Sequence, residues 1–177
     1  MVIIITGEIG IGKSTVCGRV IQMARSHGYS CGGVITHKEP DASITIEDIQ
    51  TGQQEKLAST DAIYQGPSTN KYFFNLTGIE FGVQAIMRGS RSDILFVDEL
   101  GHLELRGDGF FNVIDLVSTS KIQSLVVVIR KALLEFFMPS LGSPVIFETT
   151  YENRNDLPEE IWSFLSSLRP KQSAGKS

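Results

Sequence analysis

The chain has 177 residues, 41% of them hydrophobic, and a formal net charge of −4. That length favours one domain with an ample core. Its lysines and arginines are scattered, with no run that could neutralise a row of phosphates, so polynucleotide binding as the main task is disfavoured. No apolar run approaches membrane-spanning length. Cys17 and Cys31 are too few for a disulfide framework, lack a C-x-x-C spacing and read as small buried residues.

Val2 to Thr6 is nearly all aliphatic, as expected of a parallel strand buried on both faces. It leads directly into TGEIGIGKST, Thr6 to Thr15, which satisfies G-x-x-x-x-G-K-[ST] with Gly7, Gly12, Lys13 and Ser14. A glycine-rich turn can aim successive backbone N–H groups at a phosphate chain, and the start of the next helix adds its unpaired N–H groups and positive dipole end. The stretch Gly7, Glu8, Ile9, Gly10, Ile11, Gly12, Lys13, Ser14 and Thr15 is therefore assigned to triphosphate binding. Lys13 supplies mobile positive charge for the outer phosphates, and Ser14 a hydroxyl for Mg²⁺. Glu8 must point outward. A loop beginning at residue 7 leaves no room for a cleavable signal peptide, and a reducing cytoplasm is the expected location.

The first helix is expected from Lys13 to about His27, with Gly28 as its stop. CGGVIT, Cys31 to Thr36, reads as a second strand, and SITIEDIQ and QEKLAS as two short strands around a Thr51-Gly52 turn. Next come a short strand, Tyr72 to Leu76, and a helix, Gly78 to Arg88, with Phe81, Ala85 and Ile86 facing inward. DILFVDE, Asp93 to Glu99, is an apolar strand ending in two carboxylates. Phe110 to Ser118 is helical by periodicity, and SLVVVIR, Ser124 to Arg130, is another apolar strand. A short helix over Leu133 to Met138 is expected to stop before Pro139, followed by a strand over Pro144 to Thr149 and a helix over Glu159 to Leu168. The pattern predicts an α/β fold in three layers: a mostly parallel central sheet with helices on both faces and an antiparallel hairpin insertion. One domain spans 1–168, with a disordered polar tail over 169–177.

In such a sheet, ligands sit beyond the carboxyl ends of the strands. Asp98 follows four apolar residues and is placed to hold Mg²⁺, directly or through water. Strand alternation turns Glu99 the other way, where it can orient or deprotonate the water in line with the outer phosphate. Gly101 lets its N–H approach the γ-phosphate. Glu104 and His102, in the same loop, read equally well as packing residues. Arg130 or Lys131, at the end of an apolar strand, can neutralise charge in the transition state, with Arg130 favoured. Tyr151 to Asn155 follows the last strand, where Asn amides and the Arg154 plane could hold a base or where the loop could simply cap the last helix. Phe136, Phe137 and Met138 could form an exposed apolar patch for a partner, although burial is the commoner fate of such residues.

TGEIGIGKST, FVDELGHLEL and ETTYENRNDLPEEI together resemble the cancer-related nucleoside-triphosphatase family of P-loop proteins, over nearly all of the chain to about Ser167. The resemblance implies a variation of the RecA-like fold, with an extra strand between the phosphate-loop strand and the acidic strand and Arg130 beside the γ-phosphate. It also implies slow, Mg²⁺-dependent hydrolysis of ATP, GTP and other nucleoside triphosphates. The chain departs from the family where a T-E-E-like run becomes Thr36-His37-Lys38-Glu39, at Glu8-Ile9, and where Ser14 replaces Thr. The rival readings are a nucleotide or nucleoside kinase and a nucleotide-switched binding module. A kinase usually has an arginine-rich lid, whereas Arg130 to Gly142 carries one Arg. The chain lacks an N-K-x-D guanine reader, and the expected state is a monomer with a nucleoside triphosphate as ligand.

Overall fold

Three strands that read as almost uninterrupted aliphatic runs lie side by side in a computed structural model that describes residues 1–101, 103–107, 109–110 and 122–168. These are β1 (Val2–Gly7), β6 (Ile94–Leu100) and β7 (Leu125–Arg130), with β2 (Cys31–Lys38) and β8 (Val145–Thr149) at their flanks. They pair in parallel as β2-β6-β7-β1-β8. Beyond β2 the sheet turns antiparallel through β3 (Ile44–Asp48), β4 (Gln54–Ser59) and the two-residue β5 (Phe73–Phe74). β7 therefore separates the phosphate-loop strand from the acidic strand, the insertion that the family resemblance implied.

Alternation along β1 divides the core. Ile3 and Ile5 face a layer formed by α1 (Lys13–Ser26) and α4 (Leu157–Leu168), with Val16, Val20, Phe96, Ile161 and Trp162. Ile4 faces the opposite layer, where α2 (Leu76–Gly89) and α3 (Leu134–Leu141) bring Ala85, Ile86, Phe137 and Leu141 against Val34, Leu95 and Val127. No described helix is long and apolar enough to cross a membrane.

Some expected boundaries shift. α2 begins at Leu76 because Asn75 caps it, its side chain accepting from the N–H of Thr77 at 3.1 Å. That cap also truncates the expected strand at Phe74. α3 continues through Pro139 instead of stopping before it. Proline removes one helical hydrogen bond, but Phe137 and Leu141 are both buried and straddle it, so packing carries the last turn onward. The same packing rules out a continuous Phe136-Phe137-Met138 patch: Phe136 is 66% exposed, Phe137 is buried and Met138 packs against the core. The expected helix over Phe110 to Ser118 lies, beyond Phe110 itself, outside the described residues, as do His102 and the tail 169–177.

Gly33 shows how closely β2 and β6 approach. Its φ is +99°, and a Cβ there would lie 1.9 Å from the Phe96 carbonyl oxygen. Gly33→Ala is expected to lower stability by about 3 kcal/mol or more. Gly52→Ala, with a comparable positive φ but nothing within 4 Å, should lose only about 1 kcal/mol. Urea denaturation of both variants checks this; equal losses would contradict the close-packing account.

Candidate active site

The site begins where β1 runs out. Gly7 has φ +146°, and a Cβ on it would sit 2.6 Å from the Thr149 carbonyl oxygen, so only bare backbone passes. Gly10 (φ +78°) and Gly12 (φ +107°) complete the turn. Gly12 is also the N-cap of α1 and offers no side chain to the first N–H groups of the helix. Glu8 and Ile9 are exposed, as the outward-pointing reading of Glu8 requires, while Ile11 is buried beneath the loop. Lys13 folds back over the turn, and its Nζ donates to the carbonyls of Gly7 (3.0 Å) and Glu8 (2.7 Å). Burial lowers the Lys13 pKa, opposed by the nearby Glu99 carboxylate.

Asp98 is wholly buried and meets this loop directly. Its Oδ1 accepts from Ser14 Oγ at 3.0 Å, joining residues 84 positions apart. Its Oδ2 accepts from both the N–H (3.0 Å) and Oγ1 (2.8 Å) of Thr36 on β2. It makes no ion pair with Lys or Arg among the described residues. Burial above all pushes its pKa up to about 6; the Thr36 and Ser14 bonds pull the other way, and the Glu99 charge adds to the rise.

Glu99 does not simply alternate. It adopts φ +72°, uncommon for a residue with a side chain, and the β6–β7 pairing shifts register between Val97 and Leu100. This local kink carries the Glu99 carboxylate to Arg130, whose Nε donates to Oε1 at 2.6 Å and whose terminal nitrogen donates to the same oxygen. Arg130 pairs in register with Gly7 and so stands beside the loop. Lys131 is turned away onto Glu148 at 2.6 Å. Of the two candidate cations, Arg130 is the one that joins the site.

Two expected contacts differ. The Gly101 N–H, assigned to a γ-phosphate, donates instead to Glu104 Oε2 at 2.7 Å, and Glu104 Oε1 accepts from the Phe110 N–H at 2.8 Å. Glu104 is thus a buried clamp on its own loop. Asn153 is likewise committed: its Nδ2 donates to the Glu148 carbonyl and its Oδ1 accepts from the Thr150 N–H, both at 2.8 Å. Arg154 remains at the site. Its Cδ lies 4.0 Å from where a Cβ on Gly12 would be, and its guanidinium lies 5.4 Å from the centre of the exposed Tyr151 ring. Thr36 is the partner to which sequence reasoning gave no role; its signals are its place at the end of an apolar run and at the head of Thr36-His37-Lys38-Glu39, where it keeps the Thr of the family's T-E-E-like run.

The donor set suits a small hard cation. Ser14 Oγ and Asp98 Oδ1 are both oxygens, and among the described residues the buried Asp98 makes no ion pair with Lys or Arg and no group of three or more His, Cys, Asp or Glu forms a self-sufficient metal cage. Mg²⁺ is commonly held in this way, by one or two protein groups together with substrate phosphates.

A model of the NTPase family matches residues 2–162. The nucleoside-triphosphatase THEP1 of Sulfurisphaera tokodaii is 32% identical over 168 residues, 92% of this chain and 94% of that protein. The crystal structure of THEP1 from the hyperthermophile Aquifex aeolicus superposes with a TM-score of 0.73 at 24% identity, covering 93% of this chain and 99% of that one. The solution structure of a human cancer-related nucleoside triphosphatase gives 0.75 at 20% identity, covering 94% and 98%.

A buried carboxylate with a raised pKa costs stability wherever it is ionised. The penalty is absent below the ordinary value of 3.8, grows as the pH rises towards 6 and is complete above it. Asn can keep all three hydrogen bonds, accepting from Thr36 and donating to Ser14 Oγ, without the charge. Asp98→Asn is therefore expected to stabilise the nucleotide-free chain at pH 7.5 by up to about 3 kcal/mol, a gain that fades towards pH 4. Chemical denaturation across that range tests it, and a variant less stable than the parent at pH 7.5 would count against the burial argument.

Proposed function

The chain belongs to the NTPase family, and from that premise we propose that it hydrolyses nucleoside triphosphates, ATP and GTP among them, to the diphosphate and phosphate with Mg²⁺, acting as a monomer. The observation that supports this reading is the 3.0 Å bond between Ser14 Oγ and Asp98 Oδ1, which joins the phosphate loop to the end of the acidic strand.

Each residue has a task in this reaction. The backbone from Gly7 to Thr15 and the start of α1 receive the phosphates, and Lys13 exchanges its two carbonyl partners for phosphate oxygens. Ser14 and Asp98 are the groups that would hold Mg²⁺, which neutralises charge on the phosphate oxygens when bound. Glu99 orients the attacking water and takes its proton. Arg130, beside Gly7 and already bonded to Glu99, is poised to serve both the carboxylate and the outer phosphate. Arg154 and Tyr151 offer flat faces for a base without a pattern of amide donors and acceptors, in keeping with broad base tolerance.

Phosphate release from ATP, GTP, CTP and UTP should proceed at rates within about tenfold of one another and need no added nucleoside; strong stimulation by a nucleoside would point to a kinase instead. Glu99→Gln should bind Mg²⁺-ATP within a few-fold of the parent by calorimetry and turn over at least about 100-fold more slowly. Hydrolysis by that variant at the parental rate would remove Glu99 from its role. Lys13→Ala should weaken ATP binding at least about tenfold, a charge-assisted phosphate contact being lost, and unchanged affinity would refute the loop assignment.

A further inference from the structure

We propose that Thr36 is a positioning residue for the cation site: it occupies one oxygen of Asp98 so that only the other is offered to a metal, and it thereby favours Mg²⁺ over Ca²⁺. This rests on the cation site proposed above and adds a residue from a strand outside the phosphate loop and the acidic motif.

The parallel β2–β6 ladder pairs Cys31 with Ile94 through Val34 with Val97 and then ends. Past that point β6 kinks at Glu99, and the N–H of Thr36 is met by the side chain of Asp98. The hydroxyl of Thr36 adds a second bond to the same Oδ2 at 2.8 Å. A carboxylate oxygen has two lone pairs, so Oδ2 is filled by Thr36 alone. Oδ1 accepts once, from Ser14, and keeps one lone pair. Asp98 is wholly buried, and its two oxygens are held from different elements, Oδ1 by Ser14 and Oδ2 by Thr36. Such a carboxylate can give a cation one oxygen and not two. Mg²⁺, octahedral and reluctant to lose its waters, accepts single-oxygen contacts, whereas Ca²⁺ gathers six to eight oxygens and often takes both from one carboxylate.

The experiment uses the full chain and measures ADP affinity by calorimetry in EDTA, in Mg²⁺ and in Ca²⁺, with no turnover involved. The parent should bind ADP more tightly with Mg²⁺ than with Ca²⁺. Thr36→Val keeps the β-branched shape and the backbone donor but removes the hydroxyl; it should lose roughly tenfold of the Mg²⁺ enhancement, narrow the Mg²⁺ to Ca²⁺ ratio and leave affinity in EDTA unchanged. Thr36→Ser should restore the parental pattern, and Thr36→Ala, read alongside it, should behave as Val does should the Val variant fold poorly. The proposal is overturned if removal of the hydroxyl leaves both the enhancement and the ratio within twofold of the parent, or lowers affinity equally in EDTA. A parent that shows no metal enhancement at all would instead bring down the underlying cation site.

Discussion

A carboxylate with no surface in water is expensive to keep ionised, and Asp98 is the residue around which this molecule arranges that cost. Three donors from two other elements converge on it: Ser14 at the start of α1, and the amide and hydroxyl of Thr36 near the end of β2. The donors come from two separate stretches of backbone, so the position of Asp98 depends on the helix, the neighbouring strand and its own strand at once. The bonds offset only part of the desolvation, which is why its pKa stays raised. A cation arriving with a polyphosphate would supply the remainder.

Around this centre the sheet is continuous and buried, while the edge that carries the phosphate loop is irregular. Ile3, Ile4, Ile5, Leu95, Phe96, Val97, Val126 and Val127 are buried with hardly any exposed surface. Immediately beyond them come the positive φ angles of Gly7, Gly10, Gly12 and Glu99 and the slipped register between β6 and β7. Backbone strain of this kind persists where the surrounding packing over-determines it. With β7 lying between β1 and β6, the kink at Glu99 faces Arg130 rather than the phosphate-loop strand. The charges of Glu99, Arg130 and Asp98 all act on Lys13, the two carboxylates raising its pKa and the guanidinium lowering it.

Much of this was legible in the residues. The strand-turn-helix of the phosphate loop, the hairpin around Thr51-Gly52 and the apolar strands ending in Asp98 and Arg130 follow from local periodicity and turn chemistry, and the structure has them all. The place of β7 in the sheet came from the family resemblance, since strand order depends on long-range pairing that no local pattern encodes. For the same reason Thr36, although it heads the stretch that stands in for the family's T-E-E-like run, was given no role: its importance lies in a partner 62 residues away. Glu99 was assigned a direction from regular alternation, and the left-handed backbone that turns it towards Arg130 has no signature in a string of residue types. Gly101 misled because its N–H is satisfied by Glu104 three residues on, a clamp that a glycine in an acidic motif conceals. At Pro139 the local rule for ending helices lost to burial of Phe137 and Leu141 on either side.

The central claim is that the phosphate loop and the acidic strand act as one cation-and-phosphate site through Ser14 and Asp98. A double-mutant cycle tests it most directly: the gain in ADP affinity on adding Mg²⁺, measured in the parent, Ser14→Ala, Asp98→Ala and the double variant. If the two residues serve a single ion, each substitution alone removes most of the gain and the double variant loses little more. Losses that simply add, or a gain that survives in the double variant, would mean that the two groups do not share a metal and that the pocket does not work as described.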